Sequence, residues 1–177
     1  MSTWTVVVAA GSGTRFGGDK QLADLSGMAV LVRSVASASA VSAGVVVVVS
    51  AGRRAAVSGV LSGLERVEAI VDGGATRSES VRCGLAAVPD GAGVVLVHDG
   101  ARPLATPDLF RRVVDAVLAG AVAVVPGVPV TDSLRTADGR VMARDDVTAV
   151  QTPQGFNAER LRSAHAGGGE ASDDATL

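Results

Sequence analysis

The stretch Trp4–Gln21, WTVVVAAGSGTRFGGDKQ, decides how the rest of the chain is read. Trp4 to Ala9 is a short, β-branched apolar run and predicts a strand. It opens directly into Ala10-Gly11-Ser12-Gly13-Thr14-Arg15-Phe16-Gly17-Gly18-Asp19-Lys20-Gln21. Small residues in such a loop let backbone N–H groups approach an anion, and Arg15 and Lys20 add fixed positive charge. Together they predict a cradle for a polyphosphate. Two familiar cradles fit poorly. A P-loop running from Gly13 to Gly18 needs Lys and then Ser or Thr, but Asp19 follows, and Lys20 comes one residue late with Gln21 behind it. A dinucleotide fingerprint needs a glycine where Phe16 stands and an acidic residue where Ser50 closes the second strand. The loop suits a nucleoside triphosphate better than either.

Outward from this loop the chain alternates short β-branched runs with longer stretches at helical spacing. Met28 to Ala40 predicts a helix, Gly44 to Ser50 a second strand and Arg53 to Leu61 a helix. Glu68 to Val71 predicts a third strand, and Ser78 to Val88 a helix stopped by Pro89-Asp90-Gly91. Val94 to His98 predicts a fourth strand. Pro107 suits the first turn of a helix continuing through Leu109 to Leu118. Ala121 to Val125 predicts a fifth strand. The second and fifth are continuously apolar, as expected where helices cover both faces. The fold expected is α/β: an open, mostly parallel, doubly wound, Rossmann-like sheet. After Pro126 the rhythm changes. Val128 to Gln151 predicts a β-arm excursion, hairpin-like, with a turn at Asp138-Gly139. Ala158 to Ala166 returns to helix, followed by Gly167-Gly168-Gly169. With no repeat and no linker, residues 1–177 read as a single domain.

Composition narrows the function classes. The 177 residues are 47% hydrophobic and 19% charged, enough for a real core and too apolar for a disordered chain. Lys+Arg 16 against Asp+Glu 18 gives a net charge of −2, which argues against a sequence-independent nucleic-acid binder. Trp4, Phe16, Phe110 and Phe156 are the only aromatics, too few for base-stacking platforms. A lone Cys83 makes neither an internal disulfide nor a multi-cysteine zinc site. The N-terminus lacks a signal-peptide pattern, and runs such as Val45 to Val49 are too short to span a bilayer, so a cytoplasmic protein without membrane partners is expected.

Four further segments carry a resemblance. They are Asp72-Gly73-Gly74-Ala75-Thr76-Arg77-Ser78-Glu79-Ser80-Val81, Val97-His98-Asp99-Gly100-Ala101-Arg102-Pro103, Pro129-Val130-Thr131-Asp132-Ser133-Leu134 and Gln151-Thr152-Pro153-Gln154-Gly155-Phe156. With the tail Ser172-Asp173-Asp174-Ala175-Thr176-Leu177, their order and spacing resemble the 2-C-methyl-D-erythritol 4-phosphate cytidylyltransferases over nearly the whole chain. The resemblance implies a nucleotidyltransferase-type sheet, transfer of CMP from CTP to a small polyol phosphate, 2-C-methyl-D-erythritol 4-phosphate, with pyrophosphate leaving, Mg²⁺, and a homodimer exchanging the arm at about 128–151.

By the same resemblance Arg15, Lys20 and Arg144 are catalytic, with Arg144 reaching the neighbouring subunit's site. Ala10, Gly11, Gly13, Gly74, Ala75, Ser80 and Gly100 bind the nucleotide. Arg102, Asp132, Ser133 and Thr152 take the acceptor. Asp99 holds the metal, consistent with the preference of Mg²⁺ for one or two carboxylates plus phosphate oxygens. His98 is read as a hydrogen-bonded histidine at a strand end, and Arg77 as a brace for its turn or a border to the base. The loop departs from the family in being short and lacking a proline before Lys20; Gly17-Gly18-Asp19-Lys20 resembles the molybdenum-cofactor nucleotidyltransferases there. Ser133 stands where threonine is common. Family members continue beyond the position of Leu177 with a further strand and a phosphate-site lysine, and some are fused to a cyclodiphosphate synthase. A sibling enzyme acting on ribitol 5-phosphate and a nucleotide binder without turnover share most of these features.

Overall fold

The computed structural model describes residues 1–11, 18–171 and 173–177. Gly13 and Arg15, two of the residues expected in the phosphate cradle, lie outside them. Four parallel strands form the body of the sheet: β1 (Ser2–Ala9), β2 (Gly44–Val49), β3 (Val67–Asp72) and β4 (Ala92–Asp99). The helices between and after them are α1 (Val30–Ser39), α2 (Arg54–Leu61), α3 (Arg77–Ala86) and α4 (Pro107–Leu118). Then come β5 (Ala123–Val124), β6 (Gly127–Pro129), β7 (Leu134–Arg135), β8 (Val141–Met142), β9 (Thr148–Val150), β10 (Gln154–Asn157) and α5 (Ala158–Ala166). The main sheet has six strands in the order β3-β2-β1-β4-β10-β5.

The five valines of β2 show how the sequence builds two cores from one strand. Val45, Val47 and Val49 join the cluster under α1, α2 and α4, while Val46 and Val48 join the opposite cluster under α3 and α5. Successive strand residues point to opposite faces, so a strand covered on both sides has to be apolar throughout. All five valines are at most 1% exposed, and each contributes about 1.5 kcal/mol or more of transfer free energy before entropy is counted.

Two expectations need correction. The fifth strand is not Ala121–Val125 but only Ala123–Val124, because its one partner, β10, offers just the pairs Gly155↔Val124 and Phe156↔Ala123. The reading by β-branched runs also misses β10 itself. Gln154-Gly155-Phe156-Asn157 has no β-branched residue, yet it pairs antiparallel with Val94–Val97 of β4 and is buried over its first three residues. Gly155 belongs there because a Cβ would sit 3.1 Å from Leu96 Cδ2 and 3.3 Å from Val117 Cγ2, with Val113 closer still.

Between β5 and β10 the chain leaves the sheet. β6 pairs antiparallel with β9, and β7 with β8 across the Asp138-Gly139 turn, where Gly139 takes φ +87°. Val128, Val141, Met142 and Val150 are exposed there. Among the described residues no helix is long and apolar enough to cross a membrane.

Candidate functional site

From β1 the chain winds one way to β2 and β3, while β4 lies on the other side of β1. The crevice beyond the carboxyl ends of β1 and β4 is therefore the switch point where open α/β sheets bind ligands. Two adjoining cavities occupy it. The first, about 400 Å³, is lined by Ala10, Gly11, Gln21, Gly74, Ala75, Thr76, Arg77, Ser80 and Asp99 among others. The second, about 300 Å³, is lined by Gly11, Gly18, Asp19, Lys20, Gln21, Ser50, Arg53 and Ala101. Gly11, Gln21 and Ala101 belong to both. Of the residues expected to bind nucleotide, the structure thus brings together Ala10, Gly11, Gly74, Ala75 and Ser80, with Asp99 on the same wall and Lys20 next door.

The wall built by Gly74 to Ser80 is held by a capping box, legible as Thr76-x-x-Glu79. Thr76 Oγ1 accepts from the Glu79 N–H at 3.1 Å, and Glu79 Oε2 accepts from the Thr76 N–H at 3.2 Å and the Ala75 N–H at 2.6 Å. The start of α3 is therefore Thr76 as cap and Arg77 as first residue, ahead of the Ser78 that periodicity alone suggests. The Ser80 hydroxyl donates to the Thr76 carbonyl at 2.9 Å from a buried position. The Gly74 carbonyl lies 3.5 Å from the same hydroxyl, within its reach.

Asp99 closes β4 with its carboxylate a third exposed. Oδ2 accepts from Arg102 Nε at 3.1 Å, and Oδ1 lies 3.7 Å from Arg77 Nε. Arg102 also donates to Gln151 Oε1. Gly100, fully enclosed, donates its N–H to the Val8 carbonyl at 2.9 Å and accepts from Ser34 Oγ at 3.0 Å. A Cβ on it would stand 2.9 Å from Leu31, 3.1 Å from Ala9 and 3.2 Å from Gln21 Oε1, so glycine is required for this close approach.

Thr152, expected to touch the acceptor, is buried with its hydroxyl already engaged. Oγ1 accepts from the Asp99 N–H at 3.1 Å and lies 2.9 Å from His98 Nδ1. Burial pushes the His98 pKa down to about 4, so the ring is neutral near pH 7. Thr152 therefore ties the end of β4 to the segment entering β10.

Arg77, read as a brace for its turn or a border to the base, reaches partners that carry no role in the sequence reading. Arg77 Nη1 lies 2.7 Å from Asp174 Oδ2, and Asp174 Oδ1 lies 3.1 Å from His165 Nε2. The Asp174 N–H donates to Gln154 Oε1 at 3.2 Å. Burial works to raise the Asp174 carboxyl, but the hydrogen bond with His165 and the Arg77 charge outweigh it and hold the pKa below the usual carboxylate range. Gln21 and Arg53 were likewise missed. No motif marks Arg53; only the cavity shows it beside Lys20.

Asp132, Ser133 and Arg144 are exposed on the excursion and line neither cavity of this chain. Arg144 Nη1 donates to the Thr131 carbonyl at 3.3 Å. Among the described residues no cluster of three or more His, Cys, Asp or Glu could hold a metal by itself. The single carboxylate of Asp99, open to the larger cavity, still suits Mg²⁺, which binds one or two carboxylates and takes its other ligands from phosphates and water.

Comparison with known proteins agrees with this architecture. The chain is 44% identical over 186 residues to the bifunctional enzyme IspD/IspF of Clavibacter michiganensis, covering 97% of this chain and 45% of that protein. It is 42% identical over 185 residues to the 2-C-methyl-D-erythritol 4-phosphate cytidylyltransferase of a Synechococcus strain, covering 97% of this chain and 81% of the relative. It thus spans about half the length of bifunctional relatives and about four fifths of a single-function one. The crystal structure of the Thermus thermophilus cytidylyltransferase superposes with a TM-score of 0.77 at 34% identity, covering 99% of this chain and 82% of that one. With the family's sequence profile matching residues 3–177, the chain belongs to the 2-C-methyl-D-erythritol 4-phosphate cytidylyltransferase family, IspD.

Proposed function

We propose that this domain transfers CMP from CTP to 2-C-methyl-D-erythritol 4-phosphate, giving 4-diphosphocytidyl-2-C-methyl-D-erythritol and pyrophosphate. The observation carrying this reading is the convergence of Ala10, Gly11, Gly74, Ala75, Ser80 and Asp99 on one cavity that continues into a second beside Lys20. Gly100 closes the crevice behind them.

An oxygen of the acceptor phosphate forms a bond to the α-phosphorus of CTP. The bond to the bridging oxygen breaks, and pyrophosphate leaves with that electron pair. Negative charge builds on the α-phosphate oxygens and the leaving group, and Lys20 and Arg15 stabilise it. Gly13, by the family resemblance, belongs to the nucleotide-binding residues as well. The Gly74-Ala75 turn and Ser80 read the cytosine edge at close range. Asp99 would hold Mg²⁺ together with triphosphate oxygens, and the ion neutralises phosphate charge when bound. Arg102 orients Asp99 and faces the acceptor, and Thr152 serves the acceptor site by fixing the backbone of Asp99. Asp132, Ser133 and Arg144 act across a homodimer, where the excursion at about 128–151 carries Arg144 to the neighbour's site. Both substrates are charged and water-soluble, which supports a cytoplasmic setting with neither membrane nor nucleic-acid partners.

The test is pyrophosphate release from CTP with methylerythritol 4-phosphate and, separately, ribitol 5-phosphate. Turnover with the first and not the second is expected. Preference for ribitol 5-phosphate overturns the acceptor; release with neither overturns the activity. Equal affinity for CTP and UTP overturns the cytosine readout.

A further inference from the structure

Lys20 is exposed, and among the described residues no side-chain partner holds its ammonium group. Its placement depends on its two neighbours. On one side the Gln21 carbonyl accepts from the Leu31 N–H at 3.0 Å, which fastens the loop to α1. On the other side the Asp19 carboxylate accepts from Arg53 Nη2, with the two side chains 31% and 35% exposed. Arg53 is itself anchored at the start of α2. Its N–H donates to the Ser50 carbonyl at 3.1 Å, and its carbonyl accepts from the Val57 N–H at 3.0 Å. Asp19, Lys20 and Arg53 all line the smaller cavity.

We propose that Arg53 is a positioning residue for the reaction: through Asp19 it fixes the upstream side of Lys20 and so aims the ammonium group at the phosphates. The inference rests on the reading of the paired cavities as a CTP site. The guanidinium's charge is met by Asp19, so its primary action is on the loop rather than on the nucleotide. Without the pair, Lys20 keeps its tether to α1 and loses the one to α2. A displacement of about 1 Å at a catalytic group is enough to cost up to about 10²-fold in rate.

The experiment compares Arg53→Ala, Asp19→Ala, the double variant and Arg53→Lys in pyrophosphate release, with hydrogen–deuterium exchange of residues 18–25 measured alongside. Each single alanine variant should lower kcat about tenfold while KM for CTP moves less than about threefold, as expected when a transition-state contact is misplaced. The double variant should be no more than about twofold worse than either single one, because both break the same link. Arg53→Lys should recover kcat to within about threefold. Exchange in 18–25 should accelerate about three- to fivefold in both alanine variants, the scale of an ion pair about a third exposed. Multiplying losses in the double variant, or a slow Arg53→Ala beside a normal Asp19→Ala, overturn the proposal and make Arg53 a direct phosphate ligand. Unchanged exchange also overturns it. If the unmutated chain releases no pyrophosphate, the CTP reading fails, and the exchange measurement still decides whether the tether exists.

Discussion

Between about pH 7 and pH 4.5 the ring of His98 is offered a proton that the folded chain has no place for. It is fully enclosed, its Nδ1 is taken by the Thr152 hydroxyl at 2.9 Å, its Nε2 has no partner, and its ring stands edge-on to Phe110 with centroids 4.9 Å apart. Desolvation depresses its pKa from 6.5 to about 4, more than the Asp99 charge next door restores. The sign follows from proton counting. Between these two values the unfolded chain binds a proton that the folded chain does not, so stability falls as pH is lowered. Linkage over that interval gives a loss of about 2 to 3 kcal/mol by pH 4.5. Against a typical total of about 5 to 15 kcal/mol, this is a large fraction.

The measurement is urea unfolding at pH steps from about 7 to 4.5, on the unmutated chain and on His98→Leu. The variant removes the titration while keeping an apolar group of similar bulk, and it serves as the baseline for every other group that titrates. The difference between the two curves should steepen below about pH 6.5, approaching about 1.4 kcal/mol per pH unit. Parallel curves would refute the reasoning, as would a ring resonance of His98 that titrates near 6.5 in the folded protein.

Thr152→Val leaves the Asp99 N–H without its acceptor and His98 Nδ1 without a partner; at about 1 to 3 kcal/mol per orphaned buried group, urea unfolding should register a loss of at least about 2 kcal/mol, and a loss under about 0.5 would contradict this. Asp174→Ala removes the fully buried carboxylate between Arg77 and His165 and should cost about 1.5 to 3 kcal/mol in thermal or chemical unfolding, because its charge-assisted hydrogen bonds to both are lost while Arg77 keeps Asp99 at 3.7 Å. Since the Asp174 pKa is held below its ordinary value, that contribution is present above the ordinary carboxylate range and disappears as pH falls through the lowered value; a Tm difference between the variant and the unmutated chain that persists in strong acid would count against it. Lys20→Ala should lower turnover by about 10²-fold or more in the pyrophosphate assay, and near-normal turnover would remove Lys20 from the chemistry. Asp99→Asn should shift the Mg²⁺ titration of that assay to higher concentration, and an unchanged curve would remove Asp99 from metal binding.

What the sequence disclosed and what it withheld divide along physical lines. The β2 valines, the glycine loop after β1 and the Asp99-Gly100 strand end are local signals: burial on both faces, close backbone approach and a charge at a switch point each leave a mark on contiguous residues. β10 left no such mark, because Gln154-Gly155-Phe156-Asn157 is a strand by virtue of its slot between β4 and β5, and its glycine is chosen by Leu96 on the neighbouring strand and by Val113 and Val117 on α4. Thr152 shows the same limit in reverse. A threonine in a functional motif looks the same in sequence whether its hydroxyl faces a substrate or, as here, the Asp99 amide and the His98 ring. Asp174 and Arg77 stand 97 residues apart and Asp19 and Arg53 stand 34 apart, so neither pair has a spacing that periodicity can detect. The long-range partners share a feature that the local motifs lack. Thr152, Asp174 and Arg53 each meet a residue lining the crevice, or the backbone of one, rather than standing at its centre. Motif reading therefore finds the groups that would meet the nucleotide, and three-dimensional packing adds the groups that keep them aimed. Substitutions among the latter should change kcat or stability while leaving every motif intact.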